Sequence, residues 1–339
     1  CASLINSMYL AHFQLTELPF RLSPDPAFLY LSKHHARAKA YMESTIWFTD
    51  GFVVITGEIG SGKTTLIETF LRELEKDVVV AQVAQTQVSP IEFLQAVLVQ
   101  FGFSPFKMRK AELLATLNQF LVEQYAAGRK VLLIVDEAQN LSNRVLEEIR
   151  LLSGVETTKE KVLRIILCGQ PELNEKLDSA ELIQLVQRVR LRFHLTALTP
   201  EDTQAYVLHR PEVAGPHGRQ SFAEDTYPII YRYTGGVPRL INTICDTAMM
   251  AAYALELDRI GITELKAAID ELQWVEFAAR TNRLRAALQM PPSTPVAIGP
   301  EDVLARIIVA HAGEHVEERP LRLGRLIIGR TVENDLQIE

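Results

Sequence analysis

Short apolar runs alternate, as far as Leu195, with longer stretches in which apolar positions recur at helical spacing. The short runs predict buried strands, and the longer stretches predict helices that cover them. Strands alternating with helices favour an α/β fold built on a parallel sheet with helices on both faces. The strands predicted from apolar runs are Phe52–Thr56, Val78–Val83, Val131–Val135 and Leu163–Cys168. The alternating segment Arg190–Leu195 predicts a fifth. The predicted helices are His34–Phe48, Thr64–Lys76, Pro90–Phe101 and Lys110–Ala127.

Beyond Leu198 only helical spacing remains, which predicts an all-helical subdomain. Its first helix begins at residues 199–202 (TPED), where a capping hydroxyl precedes a proline and two acidic residues. Pro211 is expected to break that helix early, because proline lacks an N–H and clashes with the preceding turn.

These changes of pattern divide the chain into four predicted parts. They are an α/β domain over residues 8–198, a helical lid subdomain over 199–288, a proline-rich linker over 289–301, and a partial β unit over 302–339. Leu18–Tyr30 is rich in proline and aromatic residues and predicts an ordered loop that leads into the α/β domain.

Composition narrows the class of protein. The 339 residues are 47% hydrophobic and carry a net charge of -7, which argues against a broadly basic nucleic-acid or membrane coat but leaves a local basic patch open. Cys168 and Cys245 match no zinc or redox spacing and are expected to be core residues. With no bilayer-length apolar run and no signal peptide, a cytoplasmic protein is expected.

A glycine-rich segment lies between the first predicted strand and the helix after it. The segment fits G-x-x-x-x-G-K-[ST], the phosphate-binding P-loop, in the strand-to-helix context that this motif requires. Backbone N–H groups would wrap phosphate oxygens, Lys63 would reach the β- and γ-phosphates, and the Thr64 hydroxyl would bind Mg²⁺. The residues expected to bind ATP are Gly57, Glu58, Ile59, Gly60, Ser61, Gly62, Lys63, Thr64 and Thr65.

Two adjacent carboxylates follow the third predicted strand directly. Asp136 is expected to hold the magnesium ion, and Glu137 to orient and polarise the attacking water. An acidic pair at a strand end also occurs by chance, but its place one strand-helix region after a P-loop favours a hydrolase.

Three polar residues extend the predicted site. Gln170 follows the fourth strand, where it would reach the water or the γ-phosphate; alternatively it is a plain loop residue. Arg239 begins a lid helix after two glycines and would fold back on the phosphates, unless it is a surface arginine. Arg188 precedes the last strand and would project into a neighbouring subunit's site, whereas Arg190 or Arg192 would be solvated strand residues.

From Met8 to Trp274 the chain resembles the AAA+ ATPases of the general-secretion-pathway protein A (ExeA-type) family. The resemblance rests on Met8-Tyr9, Pro19-Phe20, Ser32–His35, the P-loop, Val135–Leu141, Cys168–Leu173, Gln187–Val189, Leu198–Thr203 and Gly235–Asn242. It implies an AAA+ fold with a helical lid, with Gln170 as sensor 1, Arg188 as arginine finger and Arg239 as sensor 2. It also implies that His35 lies near the adenine, although residue type alone predicts a helix-surface histidine.

The same resemblance implies a ring-forming motor or switch that drives assembly of a secretion- or pilus-type envelope complex. The protein would then act at the inner face of the cell membrane through its partners. The membrane helix and peptidoglycan-binding region usual in secretion-type members are not recognisable in this sequence.

Residues 325–330 and 334–338 resemble the start of a forkhead-associated domain. That resemblance implies a phosphothreonine peptide as a partner, held by Arg330. The alternative is a β segment without this function.

Three other functions share part of this pattern. A nucleic-acid-associated AAA+ regulator has nearly the same motifs, although nothing resembles a winged-helix or zinc module. A nucleotide-dependent scaffold would bind ATP with little hydrolysis, against which Glu137 and Arg188 argue. A helicase is suggested by residues 136–139 (DEAQ), but the helical region after Leu198 replaces the second core that a helicase needs.

Overall fold

The computed structural model describes residues 9–47, 52–154, 161–215 and 221–282, together with the backbone of 305–311, 314–321, 328–329 and 336–337. The chain divides into two compact units, residues 1–278 and 279–339. The first unit contains the α/β region and the helices after it, and the second contains the short strands near the C-terminus.

A five-stranded parallel sheet forms the centre of the first unit. Its strands are β1 (Phe52–Gly57), β2 (Val78–Val83), β3 (Lys130–Val135), β4 (Leu163–Gly169) and β5 (Val189–Leu195). The strand order is β2-β3-β4-β1-β5, and every neighbouring pair is parallel. The predicted α/β class and its five strands are therefore confirmed.

Helices cover both faces of this sheet. Along β1, Val54 belongs to one apolar core and its neighbours Val53 and Ile55 belong to another, because successive side chains point to opposite faces. Every residue of β1 and β4 is buried, as expected of strands covered on both sides. The helices of this region are α1 (Lys33–Trp47), α2 (Lys63–Glu73), α3 (Pro90–Gln100), α4 (Lys110–Ala126), α5 (Asn143–Leu152), α6 (Glu172–Leu177) and α7 (Ile183–Val186).

Between residues 199 and 282 the described part of the chain is helical, as predicted, apart from one parallel bridge between Phe222 and Ile260. Its helices are α8 (Pro200–Ala214), α9 (Tyr227–Thr234), α10 (Pro238–Ala254) and α11 (Ile262–Glu271). They enclose a third apolar core, to which the N-terminal segment 9–28 contributes Tyr9, Phe13, Phe20 and Phe28. Aromatic residues upstream of the sheet therefore complete the core of the lid.

The expectation that Pro211 breaks α8 is wrong. The helix continues through a buried Pro211 to Ala214, because a proline this close to the end interrupts only one turn. The last turn is anchored from outside: the Ala214 carbonyl accepts hydrogen bonds from the backbone N–H groups of Thr16, at 2.8 Å, and Glu17, at 3.3 Å.

The C-terminal unit contains β6 (Ala305–His311) and β7 (Glu314–Leu321), which pair antiparallel, and β8 (Ile328–Gly329) and β9 (Leu336–Gln337), which pair in parallel. The β character expected for this unit is present in these strands. The forkhead-associated assignment stays a prediction, and both Arg330 and the predicted linker lie outside the described residues.

Two expectations from composition are met in the described part of the chain. Cys168 and Cys245 are free thiols buried in the apolar cores. No described helix combines the length and the apolar character that a bilayer crossing requires.

Gly236, in the turn between α9 and α10, is expected to tolerate no side chain. Its φ is +75°, and an added Cβ would lie 2.0 Å from the Leu198 carbonyl oxygen. Gly128 has a similar φ of +72° but open space around it. In urea titrations Gly128→Ala should cost about 1–2 kcal/mol of unfolding free energy for backbone strain alone. Gly236→Ala should cost about 3 kcal/mol or more because overpacking adds to that strain; equal losses would contradict this account of the junction.

Candidate nucleotide-binding site

The turn between β1 and α2 is shaped by glycine. Gly60 and Gly62 have φ values of +78° and +95°, a conformation that residues with a Cβ rarely adopt. Gly62 is the N-cap of α2, so the N–H groups of the first helical turn are capped by no side chain and can bind an anion.

Three glycines of the P-loop, Gly57, Gly60 and Gly62, each allow a close approach. A Cβ added at each of them would meet a neighbouring element: the Leu195 carbonyl oxygen at 2.8 Å from Gly57, the Arg239 Cβ at 2.5 Å from Gly60, and the His35 Nε2 at 3.2 Å from Gly62. The P-loop is therefore packed against β5, the lid and α1.

The Lys63 side chain is buried beneath this turn. Its Nζ donates hydrogen bonds to the carbonyl oxygens of Gly57, at 2.6 Å, and Glu58, at 2.9 Å. Burial lowers the pKa of Lys63, and the nearby carboxylates of Glu137 and Asp136 partly oppose that shift. The loop thus holds one cation where it would wrap phosphate oxygens.

Oxygen atoms from two elements meet at the predicted metal position. The Thr64 hydroxyl donates to Asp136 Oδ2 at 3.4 Å, and the other Asp136 oxygen accepts from the backbone N–H of Glu137 at 2.9 Å. Burial raises the pKa of Asp136, because a desolvated carboxylate is disfavoured. A hydroxyl and a carboxylate are ligands that Mg²⁺ takes together with phosphate oxygens, so these residues fit that ion.

A second feature fits a phosphate group. The Ser61 hydroxyl is buried in the loop and has no hydrogen-bond partner among the described residues. Buried hydroxyls are normally paired, so this one suits a ligand oxygen.

Glu137 lies in a small network of amide groups. Its Oε2 accepts hydrogen bonds from Gln139 Nε2 at 2.5 Å and from Gln170 Nε2 at 3.1 Å. Gln170 was predicted to reach the water or the γ-phosphate, and that role stays a prediction; in the structure its side chain bonds to the Glu137 carboxylate. No role was predicted for Gln139 itself, because spacing alone does not tell which side chain of a short turn folds back.

His35 is buried, not on the helix surface as residue type alone predicts. Its Nδ1 lies 2.8 Å from the Ser32 hydroxyl, and its Nε2 lies 3.0 Å from the Ser61 carbonyl oxygen. Burial lowers the pKa of His35. The ring supports the P-loop backbone and also borders the nucleotide cavity.

The two predicted arginines lie in different places. Arg239 reaches the P-loop: its backbone N–H donates to the Gly60 carbonyl at 3.2 Å, and it lines the cavity. Arg188 instead caps α5, donating from Nη1 to the Arg150 carbonyl at 2.8 Å and to the Ser153 hydroxyl at 2.6 Å.

A cavity of about 340 Å³ lies above the P-loop. Besides the P-loop it is lined by Glu137, Gln170 and Arg239, by residues 21–25 and 28–30, and by lid residues Leu198, Tyr206, Arg210, Pro238 and Asn242. No site role was predicted for these last two groups of residues. The proline- and aromatic-rich composition of Leu18–Tyr30 was the available signal for the first.

The buried side chain of Arg210 holds the N-terminal segment that lines the cavity. Arg210 donates hydrogen bonds to the carbonyl oxygens of Pro19 and Arg21, and its guanidinium lies 4.6 Å from the centre of the Phe28 ring. Asn242 also donates to the Arg21 carbonyl, at 3.3 Å. Lid helices α8 and α10 therefore hold the N-terminal segment over the cavity.

His35 makes stability depend on pH in a defined direction. Because burial lowers its pKa in the folded state, the unfolded chain takes up the proton first as the pH falls below the ordinary value of about 6.5. Between that value and the folded pKa, the unfolding free energy of wild type should fall by up to about 1.4 kcal/mol for each unit by which the pH falls, because His35 stays neutral in the folded protein.

Urea titrations of wild type and His35→Gln between about pH 8 and pH 5.5 test this linkage. The difference in unfolding free energy between wild type and His35→Gln should narrow as the pH falls. His209, whose pKa burial also lowers, is present in both proteins and cancels. Curves that stay parallel would contradict the proposed state of His35.

Comparison with known proteins places this site in context. Residues 45–177 match the AAA domain family. The chain is 39% identical over 248 residues to General secretion pathway protein A of Aeromonas hydrophila, an alignment that covers 73% of this chain and 45% of that protein. The chain thus spans less than half the length of this curated relative.

Solved structures share the fold. Cdc6p of Pyrobaculum aerophilum has a TM-score of 0.58 at 16% identity, over 77% of this chain and 70% of that one. A Drosophila ORC structure bound to DNA has a TM-score of 0.59 at 17% identity, over 83% and 69%. The ORC2 protein of Aeropyrum pernix, in ADPNP and ADP complexes, has a TM-score of 0.54 at 18% identity, over 70% and 66%. Residues 45–177 are thus similar to the AAA domain family, and the parallel sheet with flanking helices is the P-loop AAA+ fold.

Proposed function

We propose that this chain binds ATP with Mg²⁺ and hydrolyses it. The observation that carries the proposal is the Glu137 carboxylate, held by Gln170 on the same cavity that the P-loop lines. A P-loop with an adjacent acidic pair binds nucleotide, and the second carboxylate supplies a group that can activate water.

In the proposed reaction, water attacks the γ-phosphorus while the bond from that phosphorus to the β–γ bridging oxygen breaks. Glu137 orients the water and accepts its proton, and ADP leaves with the bridging oxygen. Lys63 moves from the carbonyls of Gly57 and Glu58 to the β- and γ-phosphates and neutralises their charge. Thr64 and Asp136 would hold Mg²⁺, which supplies further charge neutralisation when bound.

The binding roles of the remaining site residues follow their positions. Backbone N–H groups of Gly57 to Thr65 would wrap the phosphates, and the Ser61 hydroxyl would find a phosphate oxygen there. Arg239 would report the state of the phosphates to the lid, because its backbone already bonds to Gly60. His35 would border the nucleoside while supporting the loop beneath it.

We further propose that the chain works as a ring of identical subunits in which Arg188 reaches a neighbour's γ-phosphate. The identity to General secretion pathway protein A supports a motor or switch that drives assembly of a cell-envelope complex of secretion or pilus type. Such a protein would work in the cytoplasm, at the inner face of the membrane through protein partners. A phosphothreonine peptide held by Arg330 remains a proposed partner of the C-terminal unit.

ATP hydrolysis measured against protein concentration tests the shared site. Wild-type specific activity should rise with concentration. Glu137→Gln should lower turnover by ~10²–10⁴, and Arg188→Ala by ~10³ or more, while both variants still bind ATP. Binding without turnover at any wild-type concentration would favour a nucleotide-dependent scaffold.

Mixing the two inactive variants gives a sharper test. Random rings contain sites in which the Arg188→Ala subunit supplies Glu137 and the Glu137→Gln subunit supplies Arg188, so about a quarter of wild-type activity should return. A mixture that stays inactive would contradict an arginine supplied in trans. Ser153→Ala is the control, since it removes a bond that Arg188 makes to α5 but keeps the guanidinium.

A further inference from the structure

The turn that carries Glu137 is tied to the end of β4 through one side chain, Gln139. Its Nε2 donates to Glu137 Oε2 at 2.5 Å, while its Oε1 accepts the backbone N–H of Gln170 at 3.0 Å. The Gln170 side chain then donates to the same Glu137 oxygen at 3.1 Å, so the three residues close a ring of hydrogen bonds.

Glu137 needs such support because its backbone is strained. It has φ +51° and ψ +36°, the left-handed conformation, and is the N-cap of the helical turn Ala138–Asn140. This conformation is unfavourable for an L-residue other than glycine and persists only when its surroundings fix it.

The residues around Gln139 leave space for its side-chain amide and bond to the turn that carries it. A Cβ added at Gly169 would lie 2.8 Å from Gln139 Oε1, so the amide occupies space that only glycine leaves open. On the other side, Lys176 Nζ donates to the carbonyl oxygens of Gln139, at 2.5 Å, and Leu141, at 2.7 Å. Segment 169–176 therefore holds both the side chain and the backbone of this turn.

The pattern of donors has a chemical consequence. Both amides donate to Oε2 and not to Oε1, so one carboxylate oxygen is anchored while the other is the one available to take a proton from water. Anchoring one oxygen fixes the plane of the carboxylate, and a displacement of about 1 Å in a reacting group can cost ~10² in rate.

We infer that Gln139 is a positioning residue for hydrolysis: it holds the Glu137 carboxylate and joins its orientation to that of Gln170. The inference rests on the proposed ATPase function. Its role is separate from nucleotide binding, because its hydrogen bonds go to Glu137 and to the turn at the end of β4, not to the P-loop.

Gln139→Leu and Gln139→Glu test the inference by turnover and by binding of a fluorescent ATP analogue. Gln139→Leu should lower kcat by about tenfold to a hundredfold, with the Kd changed less than about twofold, because both donor and acceptor are lost. Gln139→Glu should lower kcat further, since a second carboxylate faces Glu137 Oε2. In a Glu137→Gln background, Gln139→Leu should cause no further loss, because the group that it positions is gone.

Gln119→Leu is the matched control. Gln119 makes the same type of bond, from its Nε2 to Glu123 Oε1 at 2.9 Å, on the exposed surface of α4. It should leave kcat and Kd unchanged. If wild type turns over, Glu137→Gln abolishes turnover, and Gln139→Leu matches Gln119→Leu, the positioning role is wrong while the ATPase proposal stands.

A second readout separates the two proposals when wild type shows no turnover. In protein labelled with ¹⁵N-glutamine, Glu137→Ala should shift the side-chain amide signals of both Gln139 and Gln170 and leave that of Gln119 in place. Absence of turnover with these shifts present would overturn the ATPase proposal and keep the network. Unshifted Gln139 and Gln170 signals would overturn the positioning inference itself.

Discussion

Parallel pairing of β1, β3 and β4 is the constraint on which the site depends. In the register of the sheet, Val135 lies beside Leu167, and Thr56 lies beside Gly169. The carboxyl ends of the three strands therefore lie at the same edge of the sheet, and the residues that follow the strands are close together there. Lys63, Asp136, Glu137 and Gln170 come from distant parts of the chain, and the hydrogen-bonded ladder brings them together.

The chemistry at this edge opposes stability. Lys63 and Asp136 are both mostly buried. Burial lowers the pKa of Lys63 and raises the pKa of Asp136, which favours the neutral form of each. The attraction between Lys63 and the nearby carboxylates offsets part of that cost, as do the carbonyls of the P-loop and the N–H of Glu137. What stays unsatisfied, such as the Ser61 hydroxyl, is a polar group suited to a ligand.

The lid is joined to the site by contacts that leave little freedom. Arg239 bonds to the P-loop backbone at Gly60, and Arg210 with Asn242 holds the N-terminal segment over the cavity. The aromatic residues of that segment belong to the lid's apolar core. The P-loop, the N-terminal segment and the lid are therefore joined by direct hydrogen bonds and close packing.

The sequence by itself determined where the strands of the sheet lie and which charged residues follow them, in the P-loop and in the acidic pair. Apolar runs located four of the five strands, and alternating apolar and polar residues located the fifth, Arg190–Leu195. The P-loop and the acidic pair were readable because each is contiguous in the sequence. Helix ends moved by up to three residues, as for α2, which ends at Glu73 and not Lys76. The burial of His35, the passage of α8 through Pro211, the wall formed by residues 21–30 and the Gln139 ring were decided only by the tertiary structure. Each depends on a partner far along the chain, and side-chain direction in a short turn or a buried helix face is set by that partner and not by local sequence.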